Sequence, residues 1–596
     1  MKSLKVMRTF FTVAVVFMII LSLLSSWGST KTFAQENGAT IQEIRAIYES
    51  ETGISQPIGL VFSSWRNVFY TVDAKQWRQS SAATDLIEVS PLEERAGSKK
   101  VAAKVQDPVN MTYDNKANRL LILQAKGNQL LEVKGDSNGN LDLSTLTRHN
   151  VVGWGVQNPQ GLTVDPVSGD LFILDAAGPR IIRVTLGSDG NLDTGVTSAI
   201  DLGASGISAP RGIALDPSTG HLHLADLAAQ KLYELDQTGE VLAFRDLSQF
   251  DLNDLQGMAF APSGDQTDDP ARMSLYVADS GSTNLETQNT GQIVELSFVA
   301  AASLPAGTTK LPATLIRTFL TSTWKYPSTD PSGIDYWPAL GGLMISDSEV
   351  EEGSPAPYWH GYNVFYSTLS GSLVGNCTTY TTGGGFKTVT WNNFTAEPAG
   401  LTINPNNNHV IFSNDGRKSR VIEVAPGADG QYCSPDDQLT VRSTLGYGAS
   451  DSEDVAYGNN TIFVADGING EVYVIPLGAD GVLSGDDGPV THWDTSSLGF
   501  DDLEGIGYNP DHNTLFIVST KGTQNYLGET TLAGKLVNVY DLSFMGTQGN
   551  IRSDVTWAPS SQNPSVKSIY IASRGIDNNN NRLENDGKVW EINISN

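Results

Sequence analysis

Basic residues are scarce in this chain. Lys and Arg together number 38 against 66 Asp and Glu, a formal charge of −28 over 596 residues. An excess of that size argues against nucleic acid or an anionic membrane as partner and fits a well-hydrated extracellular surface. Long apolar runs are lacking as well. Beyond Phe10 to Leu24, no stretch is apolar for long enough to cross a bilayer as a helix. Neither a G-x-S-x-G elbow nor a G-x-x-x-x-G-K-[ST] phosphate loop occurs, so two common signatures of nucleophilic and nucleotide chemistry are missing. Cysteine appears twice, at Cys377 and Cys433. Of the seven histidines, His221 and His223 in HLHLAD share a strand face, but no third metal ligand accompanies them.

What is present at the start is an export pattern. Lys2, Lys5 and Arg8 precede the 15-residue apolar run, and Thr32-Phe33-Ala34 is an acceptable cleavage site before Gln35. Residues 1–34 are therefore expected to be a signal peptide. The mature chain is expected outside the cell or in the cell envelope, monomeric and without a membrane span. In such an oxidising compartment Cys377 and Cys433 are candidates for one disulfide.

The rest of the chain is organised by a repeat. Its clearest copy is PQGLTVDPVSGDLFILDAAGPRIIRV, from Pro159 to Val184. Gly161 to Val164 is a short apolar run ended by the turn signal Asp165-Pro166. Leu171 to Leu174 is apolar at every position, as a strand buried on both faces would be. Arg180 to Val184 is a third strand, and a weaker fourth lies near Ala199 to Leu202. Echoes begin at Pro57, Pro108, Pro159 and Pro210, then at Leu255, Pro331, Pro398, Glu453, Leu503 and Ser553. The second strand often ends in Asp: Asp73, Asp175, Asp226, Asp279, Asp347 and Asp466.

A period near 50 residues with four short strands implies propeller blades. One small sheet cannot bury two apolar faces alone, whereas blades stacked around an axis cover one another. The PxGLTVDPxxGxLFILD consensus resembles an NHL-repeat blade. LMISDSEVEE at 343–352, DLEGIGYNP at 502–510 and RGIDNNNNRLENDGKVWEI at 574–592 resemble an extracellular propeller group related to the phytase-type esterase-like domains. The resemblance covers nearly all of the mature chain; it implies the fold more than any activity.

Ten blades are expected in an all-β chain. Lone strands at Ile41 to Tyr48 and Thr314 to Leu320 each precede five blades, and the final blade of each half lacks its own fourth strand. The preferred arrangement is two tandem five-bladed propellers, residues 35–298 and 314–596, joined by a linker at 299–313. One ten-bladed ring fits the same string. Asp-Gly and Asn-Gly steps at third-to-fourth strand loops, such as Gly187 to Asn191 and Gly478 to Gly481, read as hairpin tips, with calcium as the alternative.

Candidate chemistry is thinly spread. Asp577, Asn579, Asn581 and Asp586 place oxygen side chains at intervals that suit a hard cation, so calcium is the candidate cofactor. Arg582 stands where an EF-hand needs Gly, and Lys588 where it needs Glu. Glu453, Asp454, Glu504 and Asp554 begin first strands, which line the axis of a propeller. In calcium-dependent propeller lactonases and phytases such carboxylates hold metal and activate water, and the resemblance suggests that role for Glu504. Convergence of Glu453, Glu504 and Asp554 on one pocket would favour a hydrolase; pairing with Arg or Lys would count against it. Trp324, Tyr326, Trp337, Tyr358, Trp359 and Tyr362 concentrate around the sixth blade. The favoured function is a rigid scaffold that binds protein or polysaccharide through long loops around 348–363. The alternative is a calcium-dependent hydrolase of the lactonase or phytase/esterase-like type.

Overall fold

A computed structural model describes residues 41–48, 52–74, 84–90, 101–125, 127–188, 190–203, 205–250, 252–265, 267, 269, 271–281, 291–350, 356–380, 394–414, 419–519, 524–546, 551–576 and 583–594. It is all-β, with forty strands and a few single 3₁₀ turns among these residues. The forty strands make ten antiparallel blades. The clearest repeat behaves as its sequence implies. Pro159–Val164 pairs with Leu171–Asp175, that strand with Arg180–Thr185, and that with Val196–Asp201. The second strand is buried at every position, while the fourth is exposed at nearly all.

The first strands of blades one to five are Pro57–Ser63, Pro108–Asp114, Pro159–Val164, Arg211–Leu215 and Leu255–Pro262. Each packs against the next, and the fifth returns to the first. Those of blades six to ten are Pro331–Trp337, Leu401–Ile403, Ser452–Gly458, Leu503–Asn509 and Ile551–Pro559. They close a second circuit in the same way. The chain is two five-bladed rings, not one ring of ten.

Closure is made by the two lone strands. Gln42–Tyr48 pairs antiparallel with Gln292–Ser297 and supplies the fourth strand of blade five. Lys310–Leu320 starts earlier than the apolar pattern suggests. Its first three residues run parallel to Leu536–Asp541 of blade nine, and the remainder pairs antiparallel with Lys588–Ile594 of blade ten. It therefore ties two blades together.

The core confirms why the unit is repeated. Among the described residues, buried apolar side chains fall into ten clusters, and each fills the gap between two neighbouring blades. Leu60 and Phe69 of blade one pack with Tyr276 and Ala278 of blade five, closing the first ring. Ile334 and Phe365 of blade six pack with Tyr570 and Val589 of blade ten, closing the second. Inner strands approach closely. A Cβ on Gly161 would lie 2.9 Å from the Ile213 amide nitrogen of the next blade, so glycine is required there.

The recurrent Asp at the end of the second strand is a backbone staple. Asp175 accepts the amides of Gln157 (3.1 Å), Asn158 (2.8 Å) and Ala177 (3.0 Å), fixing both the approach to the first strand and the turn after the second. Asp226 takes the amides of Ser208, Ala209 and Ala229 in the same pattern. Asp466 takes those of Ser450, Asp451 and Asn469.

Strand pairing also corrects the repeat register. Pro159 lies opposite Asp175, and Ser452 opposite Asp466, so blade eight begins its repeat at Ser452 rather than Glu453. Arg552 lies opposite Ser573, so blade ten begins at Arg552 rather than Ser553. The glycine position two residues on is then occupied by Asp454 and Asp554. The described third-to-fourth strand loops of blades three and eight turn through Gly190 (φ 73°) and Gly481 (φ 68°), which supply left-handed turn residues.

Candidate functional site

The front face of each ring is where the first strands begin; the back face carries the turns between first and second strands. The axis of the second ring holds three carboxylates, Asp454 and Asp554 buried and Asp335 half-buried. Each spans to a neighbouring blade. Asp335 accepts the Ile403 amide at 2.8 Å and the hydroxyls of Thr402 (3.0 Å) and Thr556 (2.7 Å). Asp454 accepts the Ile506 amide at 2.7 Å. Asp554 accepts the Ile334 amide at 2.5 Å. Asp454 and Asp554 take glycine positions, and the flanking blades keep glycine to admit them. A Cβ on Gly400 would overlap the Asp454 carboxylate, and one on Gly505 would lie 2.6 Å from Asp554 Cα.

Burial drives all three carboxyls above the ordinary carboxylate range, against the amide and hydroxyl donors that favour the charged form. Asp454 and Asp554 also hydrogen-bond to each other, and the nearby Asp335 charge pushes Asp454 further up. A bond between two carboxyl groups needs one proton between them. These groups are consumed in holding five inner strands together.

Glu453 and Glu504 lie nearer the front mouth. Arg574, at the end of Lys567–Gly575, is mostly buried and reaches both: its Nη2 lies 3.3 Å from Glu453 Oε2 and 3.6 Å from Glu504 Oε2. Arg552 lies close by, buried, and donates to the carbonyls of Ser519 and Gln524. Its burial lowers the guanidinium pKa to about 10, opposed by the Glu504 charge. Thus Glu453 and Glu504 share one arginine, while Asp554 belongs to the axial set. The three candidates do not converge on one pocket.

Among the described residues, no group of three or more His, Cys, Asp or Glu is placed to hold a metal ion. Asp577, Asn579 and Asn581 lie outside the described residues. Asp586, at the end of that loop, accepts the Ile576 amide at 3.2 Å through both oxygens, and burial raises its pKa. The histidines of HLHLAD part company. His221 Nδ1 lies 2.6 Å from Glu234, while His223 is stacked on Phe298 and edged by Phe260. Neither ring nitrogen of His223 has a hydrogen-bond partner among the described residues, and burial lowers its pKa to about 4.

Cys377 and Cys433 form a disulfide between blades six and seven, with Cα atoms 6.1 Å apart. The aromatic concentration divides into two parts. Trp337 is turned inward, against Tyr366 and Tyr432. Tyr326, Tyr358, Trp359 and Tyr362 are half-buried on the front face, with His360 exposed. Tyr326 lies 4.9 Å from Tyr362 and 5.8 Å from His360, ring centre to ring centre. The Tyr358 hydroxyl donates to the Leu583 carbonyl of blade ten at 3.0 Å, anchoring the loop across a blade boundary.

Sequence reasoning missed one recurrent feature. A single glutamate sits in the otherwise apolar third strand of many blades: Glu132, Glu234, Glu295, Glu423, Glu529 and Glu591. Most are buried and bound to residues that join strands or blades. Arg45 of the closing strand meets Glu295 at 3.0 Å, and His409 meets Glu423 at 2.7 Å. The signal was available as one acidic residue recurring at a fixed place in an apolar run.

No protein-family model matches the chain, and no curated protein matches it. Among solved structures, a glutaminyl cyclase of Myxococcus xanthus is similar over 43% of this chain and 95% of that one, at 15% identity and a TM-score of 0.29. A nidogen/laminin complex is similar over 63% and 94%, at 14% identity and a TM-score of 0.20. A virginiamycin B lyase of Staphylococcus aureus is similar over 74% and 95%, at 12% identity and a TM-score of 0.23. Likenesses this slight carry no argument, and the β-propeller assignment rests on the strand pairing and ring closure of the chain itself.

Proposed function

We propose that this chain is an exported, monomeric, NHL-like propeller scaffold that binds a protein or polysaccharide on the front face of its second ring. The observation that carries the reading is the half-exposed aromatic group Tyr326, Tyr358, Trp359 and Tyr362, held on a rigid blade junction by the Tyr358–Leu583 hydrogen bond. Aromatic side chains present large contact area with a polar tip, the chemistry that enriches them at interfaces. The carboxylates that a hydrolase would use are tied elsewhere, Glu453 and Glu504 to Arg574 and Asp554 to neighbouring amides. The disulfide supports export, and no helix among the described residues is long and apolar enough to cross a membrane.

The test is a panel of neutral polysaccharides in affinity gels and a displayed library of extracellular proteins. A ligand found either way should lose about tenfold in affinity for the double variant Tyr326→Ala, Tyr362→Ala, from roughly 0.5–1.5 kcal/mol per aromatic contact. Equal binding by wild type and variant would overturn the reading. Calcium at the 577–586 loop belongs to the same proposal, on the strength of the loop's oxygen side chains. Millimolar calcium should raise the melting temperature, and a flat titration would remove it.

A further inference from the structure

On the back face of the first ring, the first strands of all five blades surround a cavity of about 300 Å³. Its size lies at the lower end of small-molecule sites, roughly 300–1,000 Å³. None of the described residues that line it is charged. Met111, Met258 and Met273 contribute side chains from blades two and five. Methionine is unbranched and polarisable, so such a wall adapts to the shape of an apolar guest.

Five polar side chains interrupt this lining; Ser64 and Asn115 bond to each other at the rim, Tyr113 donates to Asn118, and Thr112 and Thr163 remain. Thr163 accepts the Leu215 amide at 3.1 Å, which leaves its hydroxyl proton free to donate. Thr112 keeps a hydroxyl without a partner among the described residues. Both are nearly buried, at 7% and 6% exposure. The rim is fixed by bonds between blades. The Ser64 amide and hydroxyl both donate to Asn115 Oδ1 at 2.8 Å, and Trp65 Nε1 donates to the Asn115 carbonyl at 2.7 Å. In the second ring the same level is occupied by Asp335, which accepts the hydroxyls of Thr402 and Thr556.

We propose that this mouth is a binding site for a small, uncharged, mainly apolar molecule carrying one hydroxyl or carbonyl oxygen, held by Thr112 and Thr163. Charged guests are disfavoured, since no opposite charge lines the cavity to offset their desolvation. Polymers are disfavoured by the small volume of the mouth. The site lies on another ring and another face from the aromatic group, so either reading can fail while the other stands.

The experiment uses the mature chain, the neutral fluorophore 1-aminoanthracene and three competitors: octan-1-ol, octane and octanoate at pH 8. Saturable binding of one fluorophore per chain is expected, displaced best by octan-1-ol and at least tenfold less well by octanoate. Ala214→Phe fills the cavity and should abolish binding. Thr112→Val preserves shape and should weaken octan-1-ol about fivefold while leaving octane unchanged, a readout that stands if Ala214→Phe does not fold. Retained binding in a folded Ala214→Phe variant, equal competition by octanoate, or an unchanged octan-1-ol affinity in Thr112→Val would each overturn the assignment. So would concentration-dependent dimers that the fluorophore disperses, which would give the mouth to a second copy of the chain.

Discussion

The two rings share one plan and close their axes in opposite ways. The first places Asn110 among four glycines at the narrowest level and leaves an apolar mouth behind it. The second replaces two of those glycines with Asp454 and Asp554, adds Asp335, and seals the axis with a proton-sharing carboxyl set. An inner strand offers amides to its neighbour, and either backbone packing or a reaching side chain can satisfy them. Small residues leave space for a guest; carboxylates use the space as cement.

This contrast predicts separate responses, readable ring by ring through hydrogen exchange. The largest effect should come from the disulfide, which only the second ring possesses. Replacing Cys377 and Cys433 by Ser should cost about 4 kcal/mol from loop-closure entropy over 56 residues, measured as lost protection in blades six to ten and little change in blades one to five.

Acid should distinguish the rings next. His223 is held neutral, with its pKa lowered from 6.5 to about 4. Its contribution is complete above pH 6.5 and is lost as pH falls through 4, a change of roughly 3 kcal/mol in the first ring. His223→Phe should flatten that limb in a urea titration. The second ring should show the reverse slope. Asp454 and Asp554 titrate higher folded than unfolded, so their contribution is complete below the ordinary value of 3.8 and is lost as pH rises above it. Asp454→Asn keeps a donor toward Asp554 and should remove most of this decline; an unchanged slope would refute the shared proton.

Smaller effects follow at the axis itself. Asp454→Ala leaves the Ile506 amide without its acceptor and should cost the second ring about 1–3 kcal/mol. Asn110→Gly, at the same level of the first ring, should alter stability by no more than about 1 kcal/mol, because the amide nitrogen it removes is buried without a partner among the described residues and its oxygen accepts only the adjacent Met111 amide. Chemical denaturation of the two variants compares them directly.

The blades were legible because Leu171 to Leu174 and its echoes are apolar without alternation, which only a sheet covered on both faces requires. Ring closure was legible as two alternatives, and the pairing of Lys310–Leu320 with blades nine and ten decides between them. The axial site was not legible. Ser452 and Arg552 carry neither Pro nor the usual glycine two residues on, so the register slipped by one. Asp454 and Asp554 then read as mouth residues instead of axial ones. The cavity could not be read at all, since Met111, Met258 and Met273 are brought together by ring geometry rather than by spacing along the chain.

The closing strand Gln42–Tyr48 has a consequence for the order in which the chain is made. It emerges before every blade of its ring, yet its partner Gln292–Ser297 comes last, about 250 residues later. Contacts so distant in sequence are slow to form. The first ring therefore stays open until blade five is complete, when nearly half the chain has been synthesised. It can then lock before the second ring begins, and each half folds as its own event.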